Sequence, residues 1–258
     1  MSLIEFRGLK KSFGKKKVLD GVDLTVERGE TLTVIGSSGT GKSVLIKHLI
    51  GLLLPDDGTI HFDGENISEG GEPAFVRVRK RVAMLFQGAA LFDSLSVFEN
   101  VAYGLREQRK LSEAEMTERV AESLAYVGLP GTEHMWPADL SGGMRKRVGL
   151  ARSIASHPEV MLYDEPTTGL DPVNVERINR LIRFLARELN LTSIVVTHDF
   201  ATVRAVSDRV AMLDQGKVIF IGTVEQLETS DHPRVRAFVN GDPSFDAAIE
   251  ETFGRDKA

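Results

Sequence analysis

Three stretches of this chain carry residues whose types and spacing suit phosphate chemistry. The first is Gly36-Ser37-Ser38-Gly39-Thr40-Gly41-Lys42-Ser43, which follows the apolar run Thr31 to Ile35 and opens the helical pattern VLIKHLIGLL. Glycines at these positions let the backbone wrap phosphate oxygens, Lys42 reaches β and γ oxygens, and the Ser43 hydroxyl suits Mg2+. The second is Ser141-Gly142-Gly143, a hydroxyl and two residues without side chains set immediately before the helical pattern Met144 to Ser156. Such a helix start binds anions, because its first N–H groups are unpaired and its dipole is positive there. The third is a strand-like apolar run from Glu159 that ends in Asp164-Glu165-Pro166, two carboxylates placed to hold a metal and a water. Arg145, Lys146 and Arg147 crowd the first turn after Gly143, where the macrodipole disfavours cations by about 0.3–1 kcal/mol each. A nearby polyanion would reverse that sign; a solvated basic face is the alternative reading.

Strands and helices must bring these stretches together. Ile4 to Leu9 and Val18 to Val26 alternate apolar and polar residues and predict paired strands, with Phe13 in the first turn. Thr59 to Asp63 and Arg81 to Phe86 predict further strands, the latter ending at Gln87, which either caps loop backbone or serves a site. Ser96-Val97-Phe98-Glu99 is a capping box that starts a helix, and Ser112 to Val127 reads as a second, amphipathic helix. A helix over Val173 to Leu189, a β-branched strand over Thr192 to Thr197 leading into His198, and a hairpin over Gln215-Gly216 complete the pattern. Strand and helix alternate before and after a mostly helical middle, an α/β chain with an inserted subdomain. The expected division is a core over 1–88 and 157–230, a helical insertion over 89–156, and a tail over 231–258 punctuated by Pro233 and Pro243. Within the tail, Phe238 and Val239 supply apolar anchors, and Phe245, Ile249 and Phe253 recur at helical spacing, which predicts a short docking helix.

Composition excludes several alternatives. At 258 residues the chain is long for one simple domain and short for two. A net charge of -5 gives no general attraction to nucleic acid or anionic lipid, so anion binding must be local. The absence of cysteine excludes disulfides, thiolate metal sites and cysteine catalysis, and suits a reducing cytosol. MSLIEFRGLKK lacks the apolar core of a signal peptide, and the run Leu49 to Leu54 is too short to span a bilayer, so a soluble chain is expected.

Taken in order, the phosphate loop at Gly36 to Ser43, Gln87 after a strand, LSGGM at Leu140 to Met144, VMLYDEP at Val160 to Pro166, GLDP at Gly169 to Pro172 and His198 after a strand resemble an ABC-type ATPase. The resemblance covers essentially Leu3 to Ser230 and implies a P-loop NTPase core with an antiparallel β subdomain and an inserted α-helical subdomain. More narrowly, QGAALFDSLSVFENVAYGLRE and SGGMRKRVGLARSIASHPEVMLYDEPTTGLDP are similar to ATPase subunits of Mla phospholipid transporters.

That resemblance implies roles. ATP would lie on Gly36, Ser37, Ser38, Gly39, Thr40, Gly41, Lys42 and Ser43, with Phe13 stacking on adenine, unless Phe13 is instead a buried hairpin residue. Mg2+ would be held by Ser43, Gln87 and Asp164. Glu165 matches the general base, His198 the imidazole that contacts the γ-phosphate, and Gln87 the residue that touches metal or water and reports to a membrane subunit. Ser141, Gly142 and Gly143 match the signature that closes on ATP from a second copy of the chain in a head-to-tail homodimer, and Asp171 matches the loop that speaks across it. Met144 departs from the more usual glutamine. Further implied partners are a membrane permease, an MCE-type substrate-binding subunit and a STAS-type accessory subunit, with no nucleic acid. The implied place is the cytoplasmic face of an inner membrane. Leu91, Phe92 and Leu95 either line a groove for a permease helix or pack the helical subdomain. The competing reading is a soluble ABC ATPase of an assembly system such as cluster biogenesis.

Overall fold

The computed structural model describes residues 2–108 and 111–242. In chain order it runs β1 (Ser2–Phe13), β2 (Lys16–Glu27), β3 (Thr31–Ile35), α1 (Lys42–Leu49), β4 (Asp57–Phe62), β5 (Glu65–Asn66), α2 (Gly71–Arg79) and β6 (Val82–Leu85). The helical middle holds α3 (Val97–Gln108), α4 (Glu113–Tyr126) and α5 (Gly142–Ile154). There follow β7 (Val160–Asp164), α6 (Pro172–Glu188), β8 (Thr192–Val196), α7 (Phe200–Val206), β9 (Arg209–Asp214), β10 (Lys217–Gly222), α8 (Val224–Glu228) and α9 (Pro233–Val239). The pair β5 and α2 occupies a stretch in which the sequence shows no clear periodicity.

Two sheets carry the architecture. One is antiparallel, in the order β2-β1-β4-β5; the other has the order β10-β9-β3-β8-β7-β6, parallel from β9 to β6 with β10 antiparallel at one edge. Parallel strands buried on both faces read as continuous apolar runs, and alternate residues then serve different cores. In β7, Val160 and Leu162 join the core that fills the space between the two sheets and α1. Met161 and Tyr163 of the same strand join the opposite core, shared with α3 to α6. The expected boundary at residues 156/157 is therefore not a gap in the packing, because the helical middle shares one core with that face of the sheet.

Helix starts follow local sequence. Ser112 accepts from the Glu115 N–H while Glu115 reaches back to the Ser112 N–H, a full capping box, and Ser96 with Glu99 does the same for α3. The expected end of the core near Ser230 is corrected. Pro233 does not break structure but occupies the first turn of α9, where its missing N–H costs nothing. Val235 of that helix is fully buried against Leu227, Met212 and Val203, and Arg234 forms an ion pair with Asp214 at 3.0 Å. The predicted apolar spacing of Phe245, Ile249 and Phe253 lies outside the described residues.

The parallel register decides where function can sit. Leu85 lies opposite Tyr163, Asp164 opposite Val196, and Val34 opposite Val196. The carboxyl ends of β3, β6, β7 and β8 thus share one edge, where ligands of open α/β sheets bind. Gly36, Gln87, Asp164 with Glu165, and His198 all emerge there.

Candidate nucleotide site

The loop after β3 is shaped by its glycines. Gly36 has φ 147°, and a Cβ there would collide with the Leu213 carbonyl; Gly41 has φ 101°, and a Cβ would sit 2.8 Å from the Val18 carbonyl. Both need the left-handed half of backbone space and both lack room for a side chain. The loop delivers Lys42 to the first turn of α1. Its ammonium, 6% exposed, donates to the carbonyls of Gly36 at 2.8 Å and Ser37 at 2.9 Å. Burial pushes the Lys42 pKa down, against the pull of Glu165 and Asp164, which favour the charge. A buried cation held by carbonyls alone is suited to a multiply charged anion.

The carboxylates meet the loop from β7. Ser43 donates its hydroxyl proton to Asp164 Oδ1 at 2.5 Å, and Lys47 lies 3.9 Å from Oδ2 of the same carboxylate. Ser43 and Asp164 form an all-oxygen, partly protein-built donor set. That fits Mg2+, which keeps waters and takes its remaining ligands from phosphate. Among the described residues no three His, Cys, Asp or Glu side chains gather as a metal cage.

Glu165 is held more tightly than a surface carboxylate. Its φ is 49°, a left-handed backbone that costs a non-glycine residue on the order of 1–3 kcal/mol and persists only where the surroundings enforce it. Here its N–H donates to the Val196 carbonyl at 2.9 Å, Thr168 donates to Oε2 at 3.2 Å, and His198 Nδ1 stands 2.9 Å from Oε1. In the tautomer that carries its proton on Nδ1, His198 donates to Glu165 and leaves Nε2 at the other edge of the ring. The His198 side chain is half exposed, while that of Glu165 is nearly enclosed.

Gln87 leaves β6 exposed at the same edge, and its loop is fastened from α5. Lys146 donates to the Gln87 carbonyl, and Arg152 donates to the carbonyls of Ala89 at 2.6 Å and Ala90 at 2.7 Å. Ala89 and Ala90 are both left-handed, with φ 61° and 49°. The solvated-face reading of the basic run holds only at Arg145, which is exposed. Arg145 donates to the Leu140 carbonyl and Arg147 to those of Val127 and Gly128, while Lys146 is 6% exposed. Arg145 stays at the surface, while Lys146 and Arg147 donate to carbonyls of the fold, and the signal that identifies Lys146 and Arg152 is their spacing with Gly149 on one helix face.

The remaining candidates lie apart from this cluster. The Ser141 hydroxyl accepts from the Met144 N–H at 3.2 Å and caps α5. A Cβ on Gly143 would lie 2.8 Å from Asn174 Oδ1, so this glycine is packed against the start of α6. Asp171 caps α6 through Val173 and Asn174 and accepts from the Asn174 side chain at 2.5 Å; that side-chain bond, followed by the backbone ones, holds its carboxyl below the usual range. Phe13 closes β1 and is 48% exposed with Lys11 5.7 Å from its ring, which removes the buried-hairpin reading. Phe92, also exposed, stacks on Tyr103 at 4.7 Å, whereas Leu91 packs against the helical core.

Residues 19–168 match the family model described as ABC transporter. The chain is 44% identical over 238 residues to the probable ribonucleotide transport ATP-binding protein mkl of Mycobacterium tuberculosis, covering 92% of this chain and 66% of that one. It thus spans just under two thirds of the length of that relative. It is 39% identical over 240 residues to the intermembrane phospholipid transport system ATP-binding protein MlaF of Escherichia coli K12, covering 93% of this chain and 89% of that one. A dimeric ATP-binding cassette in a post-hydrolysis state bound to ADP and phosphate superimposes with a TM-score of 0.78 at 28% identity, over 86% of this chain and 98% of that one.

Proposed function

The chain belongs to the ABC transporter family, and from that premise we propose that it is the ATP-hydrolysing subunit of a transporter that moves phospholipid between membranes. The observation that carries hydrolysis is the enclosed Glu165 carboxylate, fixed 2.9 Å from His198 beside the buried Lys42 and the Ser43–Asp164 pair. Support for the cargo comes from MlaF, of which this chain spans 89%, against 66% for the relative named for ribonucleotide transport.

In this reading Lys42 and the backbone of Gly36 to Gly41 hold the β and γ phosphates, and exposed Phe13 offers its ring to adenine. Ser43 and Asp164, with Gln87 at the edge, hold Mg2+, which when bound neutralises charge on the transferring phosphoryl group. Glu165 orients water and accepts its proton, while His198 steadies Glu165 through Nδ1 and presents Nε2 towards the γ-phosphate. Ser141 to Gly143 and Asp171 serve the site of a second copy, so two chains pair head to tail around two ATP. A groove of about 990 Å3 lined by Val76, Phe86, Ala90, Phe92 and Tyr103 receives a permease helix. MCE-type and STAS-type subunits complete the assembly at the cytoplasmic face of an inner membrane. No described helix is long and apolar enough to cross a membrane, so attachment runs through the permease.

Reconstitution of the full chain with its copurifying membrane subunits in phospholipid vesicles tests this. Mg2+-dependent ATP turnover should accompany lipid transfer. Turnover without any associated membrane subunit or lipid movement would favour the soluble assembly ATPase instead.

A further inference from the structure

One buried cation is left over once Lys42 has been assigned to phosphate. Lys146 sits on the second turn of α5, 6% exposed, and among the described residues it forms no salt bridge. Its ammonium instead donates to two carbonyls that belong to different strands' ends: that of Gln87 after β6, and that of Glu165 after β7 at 3.4 Å. Resting on the reading of Glu165 as the base, we infer that Lys146 is a positioning residue: it fixes the backbone of Glu165 and ties it to the Gln87 loop through the helix that begins at Ser141.

Three features of the surroundings carry this. A carbonyl on an exposed loop is satisfied by water, and a neutral side chain would serve a single buried one. A desolvated ammonium is costly to bury, so it is used where its charge is compensated. Here burial is the larger effect and pushes the Lys146 pKa down, while Glu165 and Asp164 nearby pull the other way. The peptide Lys146 grips is also the one with an enforced backbone: Glu165 is left-handed, and its N–H is tied to Val196 on the other side. Lys146 thus completes the clamp on the residue whose carboxylate must be aimed. Finally, the Lys146 face of α5 is the face on which the Gln87 loop rests. A Cβ on Gly149 would lie 3.1 Å from Ala89 Cβ, and Arg152 holds the carbonyls of Ala89 and Ala90. Any shift of that loop, or of α5, is therefore delivered through Lys146 to Glu165.

The test uses the full-length chain with Lys146→Met, Lys146→Gln and Lys146→Arg, measuring steady-state ATPase, affinity for a fluorescent ATP analogue, and Tm. Loss of a group that aims the base lowers kcat and leaves ground-state binding alone. Lys146→Met should lower kcat by about tenfold or more, with KM and analogue affinity within about twofold of wild type, and Lys146→Arg should restore most of the rate. Should Lys146→Met fail to fold, Lys146→Gln is judged by the same criteria. Wild-type kcat in Lys146→Met, or a loss in which kcat and analogue affinity fall together and arginine does not rescue, overturns the inference. Failure of the underlying reading looks different: wild-type protein without Mg2+-dependent turnover, or unimpaired turnover by Glu165→Gln.

Discussion

Two helix starts in this molecule have the chemistry of an anion site, and they differ in what their own chain places around them. The start of α1 comes with a buried ammonium, a Ser43–Asp164 pair, and Glu165 held by His198. The start of α5 has its hydroxyl engaged on Met144, Gly143 against Asn174, and a neighbouring Asp171 occupied in capping α6. Both carry the positive end of a dipole and first-turn N–H groups without a helical partner, of which Ser141 caps that of Met144. Among the described residues, the α1 start alone combines a buried ammonium with the Ser43–Asp164 pair and the Glu165–His198 pair. The contrast is the one that a site divided between two chains requires: one part does the chemistry, and the other supplies N–H groups and closure.

The sharpest way to break the contrast is at Glu165. A positioned general base contributes about 10²–10⁴-fold, so Glu165→Gln should lower kcat by about that factor while ATP binding persists, and the variant should accumulate as an ATP-bound dimer in size-exclusion runs. Turnover near wild type would remove the base from the furnished end. Next in size is the test of division itself. In a mixed dimer of Lys42→Ala and Ser141→Arg chains, each inactive as a homodimer, one site carries both defects and the other carries neither. ATPase on copurified, differently tagged chains should recover part of the activity; no recovery would place both helix starts in one chain's site. The smallest effect is expected from Ser141→Ala. Loss of the α5 cap should lower stability by about 1 kcal/mol, read as a modest fall in Tm. Tight retention of the closed dimer in that variant would mean that the Ser141 hydroxyl contributes only to the helix.

Much of the furnished end was legible because its residues are contiguous and their backbone demands are local. A phosphate loop between a buried strand and a helix declares itself through Gly36, Gly41, Lys42 and Ser43, and β-branched runs ending in Asp164 or His198 announce strands with chemistry at their tips. The capping box at Ser96 was equally local. The fate of the basic run was not legible, because a lysine on a helix surface and a lysine buried against two carbonyls have the same sequence neighbours. Nor was α9: Pro233 breaks a helix interior but starts a helix equally well, and only the pocket formed by Val203, Met212 and Leu227 shows which applies.

The sequence by itself determined most of the elements, the phosphate-binding motifs and the types of residue available for each step, since these depend on periodicity, turn chemistry and backbone restrictions within a few residues. The tertiary structure alone decided that β3, β6, β7 and β8 run parallel with their carboxyl ends on one edge. It thereby brought residues as distant as Ser43 and Asp164 to 2.5 Å. It also decided that Lys146 faces inward and that Phe13 faces outward. These outcomes turn on strand order and on which helix face meets the sheet, and such contacts join segments whose pairing no local pattern encodes.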